Sequence, residues 1–175
     1  MQEILLGVTG GIAAYKSAMI VSRLTQRGLG VTVVMTRSAT KLIAPQTFEA
    51  LSGRPVRYSL FDSQMSHAHI ELARSADLFC IAPATANILA KAAHGIADDL
   101  VSTLILSFDK PIFFAPAMNA AMWNKPSVQR NVKQLLEDGM FFIGPESGHL
   151  SCGEEGCGRM TEPEKIVEII LNGKG

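Results

Sequence analysis

The stretch Ile4-Leu5-Leu6-Gly7-Val8-Thr9-Gly10-Gly11-Ile12-Ala13-Ala14 decides the fold. Residues 4–8 form a short, almost wholly apolar run that ends in a glycine-rich turn, and a helical pattern begins directly after it. A run this short, with no polar alternation, reads as a strand buried on both faces, as in a parallel sheet. Across residues 12–29, apolar residues at Ala14, Ala18, Val21, Leu24 and Leu29 follow an approximate helical period, with Arg23 and Arg27 off the stripe. Gly28 and Gly30 stop that helix. Residues 31–35, 78–82, 111–115 and 141–143 repeat the strand pattern, and residues 56–60 add a candidate edge strand. Residues 86–93, 100–106, 128–136 and 164–171 supply further helices. Strand and helix in regular succession predict an α/β fold: a doubly wound, mainly parallel sheet of five to six strands with right-handed crossovers.

The 175 residues suit one domain spanning 1–175. With 47% hydrophobic residues and 16 basic residues against 16 acidic ones, the chain is neither disordered nor a general polyanion binder, so no nucleic-acid partner is expected. No apolar run reaches the roughly 18–20 residues that span a bilayer, and the first residues lack a basic region and cleavage site, so a cytoplasmic protein is expected. Three cysteines, Cys80, Cys152 and Cys157, make no disulfide framework and suit a reducing compartment. Residues 144–158 carry five glycines and one proline and read as a long loop, which a compact domain rarely keeps without a use for it. Residues 171–175 resemble a linker, at which the chain either ends or continues.

Candidate site residues gather at the carboxyl ends of the strands, where open α/β sheets bind ligands. The Gly7–Ala14 loop is G-x-x-G-G rather than a dinucleotide fingerprint or P-loop. Its small residues let a ligand approach the backbone, and the following helix offers N–H groups to an anion. The second strand ends in Met35-Thr36-Arg37-Ser38, which suits a phosphate better than a ribose. The third runs into Pro83-Ala84-Thr85-Ala86-Asn87, where Thr85 or Asn87 either caps a helix or meets a ligand. Asp98-Asp99 before Leu100 can be helix N-terminal charge. The fourth strand leads to Pro116-Ala117-Met118-Asn119-Ala120-Ala121-Met122-Trp123; Met and Trp are usually core filler, but Asn119 can donate to a carboxylate. His67 and His69 form an i, i+2 pair without a third ligand, so metal is not expected, whereas a single histidine suits a base. Cys152, on a glycine-rich loop near Arg159, reads as an accessible thiol.

These motifs together resemble the homo-oligomeric flavin-containing cysteine decarboxylases, and within them the phosphopantothenoylcysteine decarboxylases of coenzyme A biosynthesis. Pro116–Trp123 matches the family's P-x-M-N-x-x-M-W signature at every fixed position. Residues 83–87 are similar to its Pro-Ala-Ser-Ala-Asn-Thr motif, with Thr85 in place of Ser and Ile88 in place of the final Thr. His69 sits where the family has its catalytic histidine; His67 does not match.

The resemblance implies a three-layer, Rossmann-like (flavodoxin-like) fold and FMN as cofactor. The FMN contacts it implies are Gly10, Gly11, Ile12, Thr36, Ser38, Pro83, Ala84, Thr85, Ala86, Asn87 and Ser102. It also implies catalysis by His69, Asn119 and Cys152, with Asn119, Met122 and Cys152 on the substrate and residues 144–160 as a mobile clamp. The implied reaction takes 4′-phosphopantothenoylcysteine to 4′-phosphopantetheine through a thioaldehyde and an enethiol. Homotrimers or dodecamers with FMN at subunit interfaces, and a fused or separate phosphopantothenate–cysteine ligase, are the implied partners. Relatives that decarboxylate lantibiotic peptides, prenylate flavin or bind phosphatases share the scaffold. The intact His69, Asn119 and Cys152 argue against the last two, leaving the peptide decarboxylase and a non-catalytic flavin module as alternatives.

Overall fold

In a computed structural model, which describes residues 2–60, 68–149, 153 and 155–172, β1 (Glu3–Val8) lies between β2 (Gly30–Met35) and β3 (Leu78–Ala84). Beyond β3 follow β4 (Ile112–Pro116) and β5 (Phe141–Phe142). The order β2-β1-β3-β4-β5 is parallel throughout, and its sense reverses between β1 and β3. That reversal is the topological switch point, outside which ligands bind in such sheets.

The strands are apolar on both faces because helices cover both. Ile4, Leu6, Val8, Val33 and Cys80 point into one core. It is shared with Ile20, Val21 and Leu24 of α1 (Ala14–Gln26) and with Ile166, Val167 and Ile170 of α8 (Pro163–Asn172). Leu5, Val34, Phe79, Ile81 and Phe114 face the other core. That side is closed by α3 (Ala68–Ser75), α4 (Ala86–Ala93), α5 (Leu100–Ser107) and α7 (Pro126–Glu137). The alternation is the period-two signature of strands; each fully buried Leu or Ile contributes about 1.5–3 kcal/mol. Arg23 pairs with Glu164 across the α1–α8 contact.

Two expectations are corrected. Residues 56–60 do not form a sixth strand. Met35 donates its N–H to the Arg57 carbonyl at 2.8 Å and Arg57 donates to Val33 at 3.1 Å, which makes a single bridge beside β2. Val56 is buried in one core and Leu60 only partly packs against the other, while Tyr58 between them is 50% exposed, so the stretch lacks the cover of a continuous edge strand. Residues 144–158 are not a plain loop either: β6 (Glu146–His149) pairs antiparallel with β7 (Glu155–Arg159) in a separate hairpin. Its sequence lacks β-branched residues, so no strand pattern is visible.

Helix α2 (Pro45–Ser52) joins the expected helices, bracketed by Pro45 at its start and left-handed Gly53 after its end, which are ordinary helix punctuation. Among the described residues, no helix is long and apolar enough to cross a membrane.

Candidate active site

The switch point is fastened by side chains before any ligand is considered. Thr9, buried after β1, donates its hydroxyl to the Pro83 carbonyl at 2.7 Å and accepts from the Thr85 N–H at 3.3 Å. This ties the first loop to the third. Gly10 presses on the end of β2, where a Cβ would stand 2.5 Å from the Ser38 Cβ. A Cβ on Gly11 would stand 3.4 Å from both Pro83 and Thr85. Helix α1 opens without a side-chain cap; the Ala14 and Lys16 N–H groups donate to the Gly11 and Ala13 carbonyls at 2.9 Å, so any anion there would meet the Tyr15 amide and those of the preceding loop. Thr85 caps α4 by accepting from Ile88 at 3.4 Å, so the helix-cap reading holds and its ligand role is a separate matter.

Two cavities meet here. The first, about 560 Å³, is lined by Gly10, Thr36, Ser38, Thr85, Ala86 and Asn87, among others. The second, about 740 Å³, includes Gly11, Ile12, Asn119 and Met122 in its wall, with His149 and Arg159 of the hairpin opposite. Gly10, Thr85, Ala86 and Met122 border both. Both volumes lie within the roughly 300–1,000 Å³ typical of small-molecule sites. Met122 is 43% exposed and is therefore wall rather than core filler.

Asn119 caps the short helix α6 (Ala120–Trp123): its Oδ1 accepts from the Met122 N–H at 2.8 Å. The cap fixes the amide plane and leaves the NH₂ group as the free donor.

Other expected residues sit differently. Pro83 and Ala84 are buried and line neither cavity; Pro83 acts through its carbonyl bond to Thr9. Ser102 is also buried and lines neither. It forms the α5 capping box with Asp99, whose carboxylate accepts from the Ser102 N–H at 2.9 Å. His69 is on helix α3, is partly buried, and borders neither cavity. Cys152 and His67 lie outside the described residues. Cys157 is half-buried in β7, and burial pushes the Cys80 thiol up to about 12, which keeps it protonated and inert. Among the described residues, no cluster of three or more metal-ligating side chains occurs.

Sequence reasoning missed Thr9 and Lys91 as site residues. The Lys91 ammonium lies 2.5 Å from Asp98 and 2.6 Å from Asp99 at the wall of the first cavity. Burial draws Lys91 down, but its hydrogen bonds to the two carboxylates outweigh that and hold its pKa above the usual lysine value. The hydrogen bond from Lys91 in turn holds the Asp98 carboxyl below the usual range. The spacing that joins these residues spans a helix and a turn, so no periodic signal marks it.

The hairpin is seated on the Asn119 loop. Met118 donates its N–H to the Gly158 carbonyl at 3.0 Å, and a Cβ on Gly158, whose φ is +138°, would overlap the Met118 carbonyl oxygen. Gly158→Ala should therefore lift the hairpin off this loop and leave the five-stranded sheet intact. Hydrogen exchange should quicken in β6 and β7 while the unfolding midpoint stays close to that of the unsubstituted protein. Unchanged hairpin protection would mean that other contacts hold it.

With this geometry, residues 1–174 match the flavoprotein family model, and the chain belongs to that family. It is 46% identical over 170 residues to the coenzyme A biosynthesis bifunctional protein CoaBC of Bacillus subtilis (strain 168), which covers 96% of this chain and 42% of that one. It is 45% identical over 172 residues to the protein of the same name from Escherichia coli (strain K12), covering 97% and 42%. The chain thus spans about two fifths of the length of the curated relatives it matches.

Among solved structures, a PPC decarboxylase mutant complexed with pantothenoylaminoethenethiol superposes with a TM-score of 0.86 at 32% identity, covering 98% of this chain and 97% of that one. The FMN-dependent cysteine decarboxylase SpaF superposes with a TM-score of 0.83 at 36% identity, covering 98% of each. The fold is of the three-layer, flavodoxin-like Rossmann type shared with these structures.

Proposed function

We propose that the chain is an FMN-dependent decarboxylase that converts 4′-phosphopantothenoylcysteine to 4′-phosphopantetheine. The observation that carries this reading is Asn119: a neutral amide, fixed by its own helix cap, with its donor edge free at the wall of the larger cavity. Two relatives named for coenzyme A biosynthesis and a neighbour named PPC decarboxylase support it.

The residues fit FMN. Gly10 and Gly11 let the first loop pack closely against Ser38, Pro83 and Thr85 and expose backbone to the cavities, and Thr36, Ser38 and the start of α1 offer hydroxyls and amides to a phosphate. Ile12, Thr85, Ala86 and Asn87 would border the rest of the cofactor, with Pro83, Ala84 and Ser102 supporting these loops from behind. When bound, the flavin supplies reversible hydride chemistry at the substrate's thiol-bearing carbon.

The chain's own residues position the substrate and move its protons. Asn119 Nδ2 donates to the carboxylate, His69 takes a proton, and Cys152 returns one to the enethiol carbon. His69 borders neither cavity of its own chain, so on this reading a neighbouring subunit brings it to the site, in a homotrimer or in a dodecamer built from trimers. The hairpin and residues 144–160 clamp the substrate, residues 1–175 act as a single decarboxylase domain, and the protein works in the cytoplasm. The bifunctional relatives support a fused or separate phosphopantothenate–cysteine ligase as partner.

Cys152→Ser tests this division of labour. Carbon dioxide should still be released while the enethiol accumulates, as followed by mass spectrometry; full turnover to the saturated thiol would remove Cys152 from the mechanism. The likeness to SpaF favours a second reading, a peptidyl-cysteine substrate. CO₂ release from a Cys-ending peptide, and not from phosphopantothenoylcysteine, would select it.

A further inference from the structure

We propose that Arg159 reads the phosphate of the substrate and so sets its specificity; the inference rests on the decarboxylase reading above. Arg159 lies in the wall of the larger cavity at the end of β7. Its guanidinium is poorly satisfied. The Nη2 atom is 3.3 Å from Glu162 and 3.7 Å from Glu146, beyond the roughly 2.7–2.9 Å of a strong charge-assisted bond. Its Nε–H is buried and has no acceptor among the described residues.

Arg54 is the internal contrast. It meets Glu3 through two bonds, at 2.5 and 3.1 Å, and adds Thr32 at 3.1 Å. The fold can thus satisfy an arginine, and at Arg159 it leaves donors unmade, a cost normally avoided.

The surroundings favour an anion. Lys16, 8% exposed, borders the same cavity, and its ammonium is already committed to Glu162 at 2.9 Å and to the Met160 carbonyl at 3.3 Å. Lys16 and Arg159 share the same Glu162 oxygen, Oε1, with the shorter contact made by Lys16, so Glu162 competes weakly for Arg159. A Cβ on Gly148 would stand 3.2 Å from the Arg159 Nη1 and 3.3 Å from its Cζ, so the glycine lets the guanidinium pack flat against the β6 backbone as a rigid fork. Such a fork matches phosphate bidentately.

The substrate has two anionic ends, and chemistry divides them. A carboxylate held by a full cation is stabilised in the ground state and resists loss of CO₂, whereas binding at a remote, unreacting group does not oppose the transition state. The neutral Asn119 suits the reacting carboxylate, and Arg159 suits the phosphate.

Calorimetry on the FMN-loaded protein, with 4′-phosphopantetheine and pantetheine as probes, tests this without turnover. The unsubstituted protein should bind the phosphorylated probe roughly tenfold to a hundredfold more tightly. Arg159→Gln should abolish that preference without weakening pantetheine. Arg159→Lys should keep part of it, since charge remains and the fork is lost. Equal affinity for both probes, a preference that survives Arg159→Gln, or equal loss of both probes overturns the assignment. Phosphate-dependent binding with no CO₂ released from phosphopantothenoylcysteine would instead overturn the decarboxylase reading and leave Arg159 as an anion reader.

Discussion

Replacing His69 with Asn should lower the rate of CO₂ release by about 10²–10⁴-fold, the usual contribution of a positioned base, while the purified protein stays yellow with bound flavin. The flavin should stay because His69 borders neither cavity and sits on α3, away from the Thr9, Gly10 and Thr85 contacts that shape the cofactor loops. The same separation gives a sharper test. If His69 acts across a subunit boundary, each site combines His69 of one chain with Asn119 of another. Co-expression of His69→Asn and Asn119→Asp chains, each inactive alone, should then regain about a quarter of full activity, because random mixing pairs two intact residues at that frequency. If both residues came from one chain, no mixed site would be intact and activity would stay at the floor. Undiminished CO₂ release by His69→Asn alone would remove the base assignment.

The sheet was legible because strands covered on both faces cannot hide their composition. Residues 4–8, 31–35 and 78–82 lie inside β1, β2 and β3. The helix read at 86–93 coincides with α4, since Pro83 before it and Gly95 after it bracket an unbroken apolar stripe. The hairpin was not legible, because its glycines serve close approach rather than turning: Gly148 lies against Arg159 and Gly158 against Met118, and both contacts are tertiary.

Much of the site followed from strand ends plus small residues, since Gly10, Thr36, Ser38 and Asn87 reach one cavity by topology alone. Ser102 came in only through the family resemblance, and its side chain forms the α5 capping box with Asp99. Lys91 gave no signal, and Arg159 stood out only as a charge near Cys152. Their significance lies in which carboxylates face them, and that depends on packing between distant segments.

Asn119 carries two functions in one amide, and substitution can separate them. Asp at this position accepts from the Met122 N–H as well as Asn does, so the α6 cap survives and the unfolding midpoint should not move. The donor edge, however, becomes a second carboxylate facing that of the substrate. Two like charges about 4 Å apart repel by about 4 kcal/mol at an effective dielectric of 20, so kcat/KM should fall roughly 10³-fold. Ala instead removes the cap, which costs about 1 kcal/mol and lowers the midpoint by about 2–4 °C in a chain of this size. It adds no repulsion, so only the hydrogen bond to the carboxylate is lost, about 1.5–3 kcal/mol.

The two orders therefore cross. Stability should run Asn119 equal to the Asp variant and above the Ala variant, whereas activity should run Asn119 above the Ala variant and the Ala variant above the Asp variant. Lowering the pH should recover activity in the Asp variant, as the introduced carboxyl takes up a proton and becomes a donor again, and should not do so in the Ala variant. If activity instead followed stability, with the Asp variant nearly as active as the parent, Asn119 would be a helix cap and nothing more, and the observation that carries the decarboxylase reading would be gone.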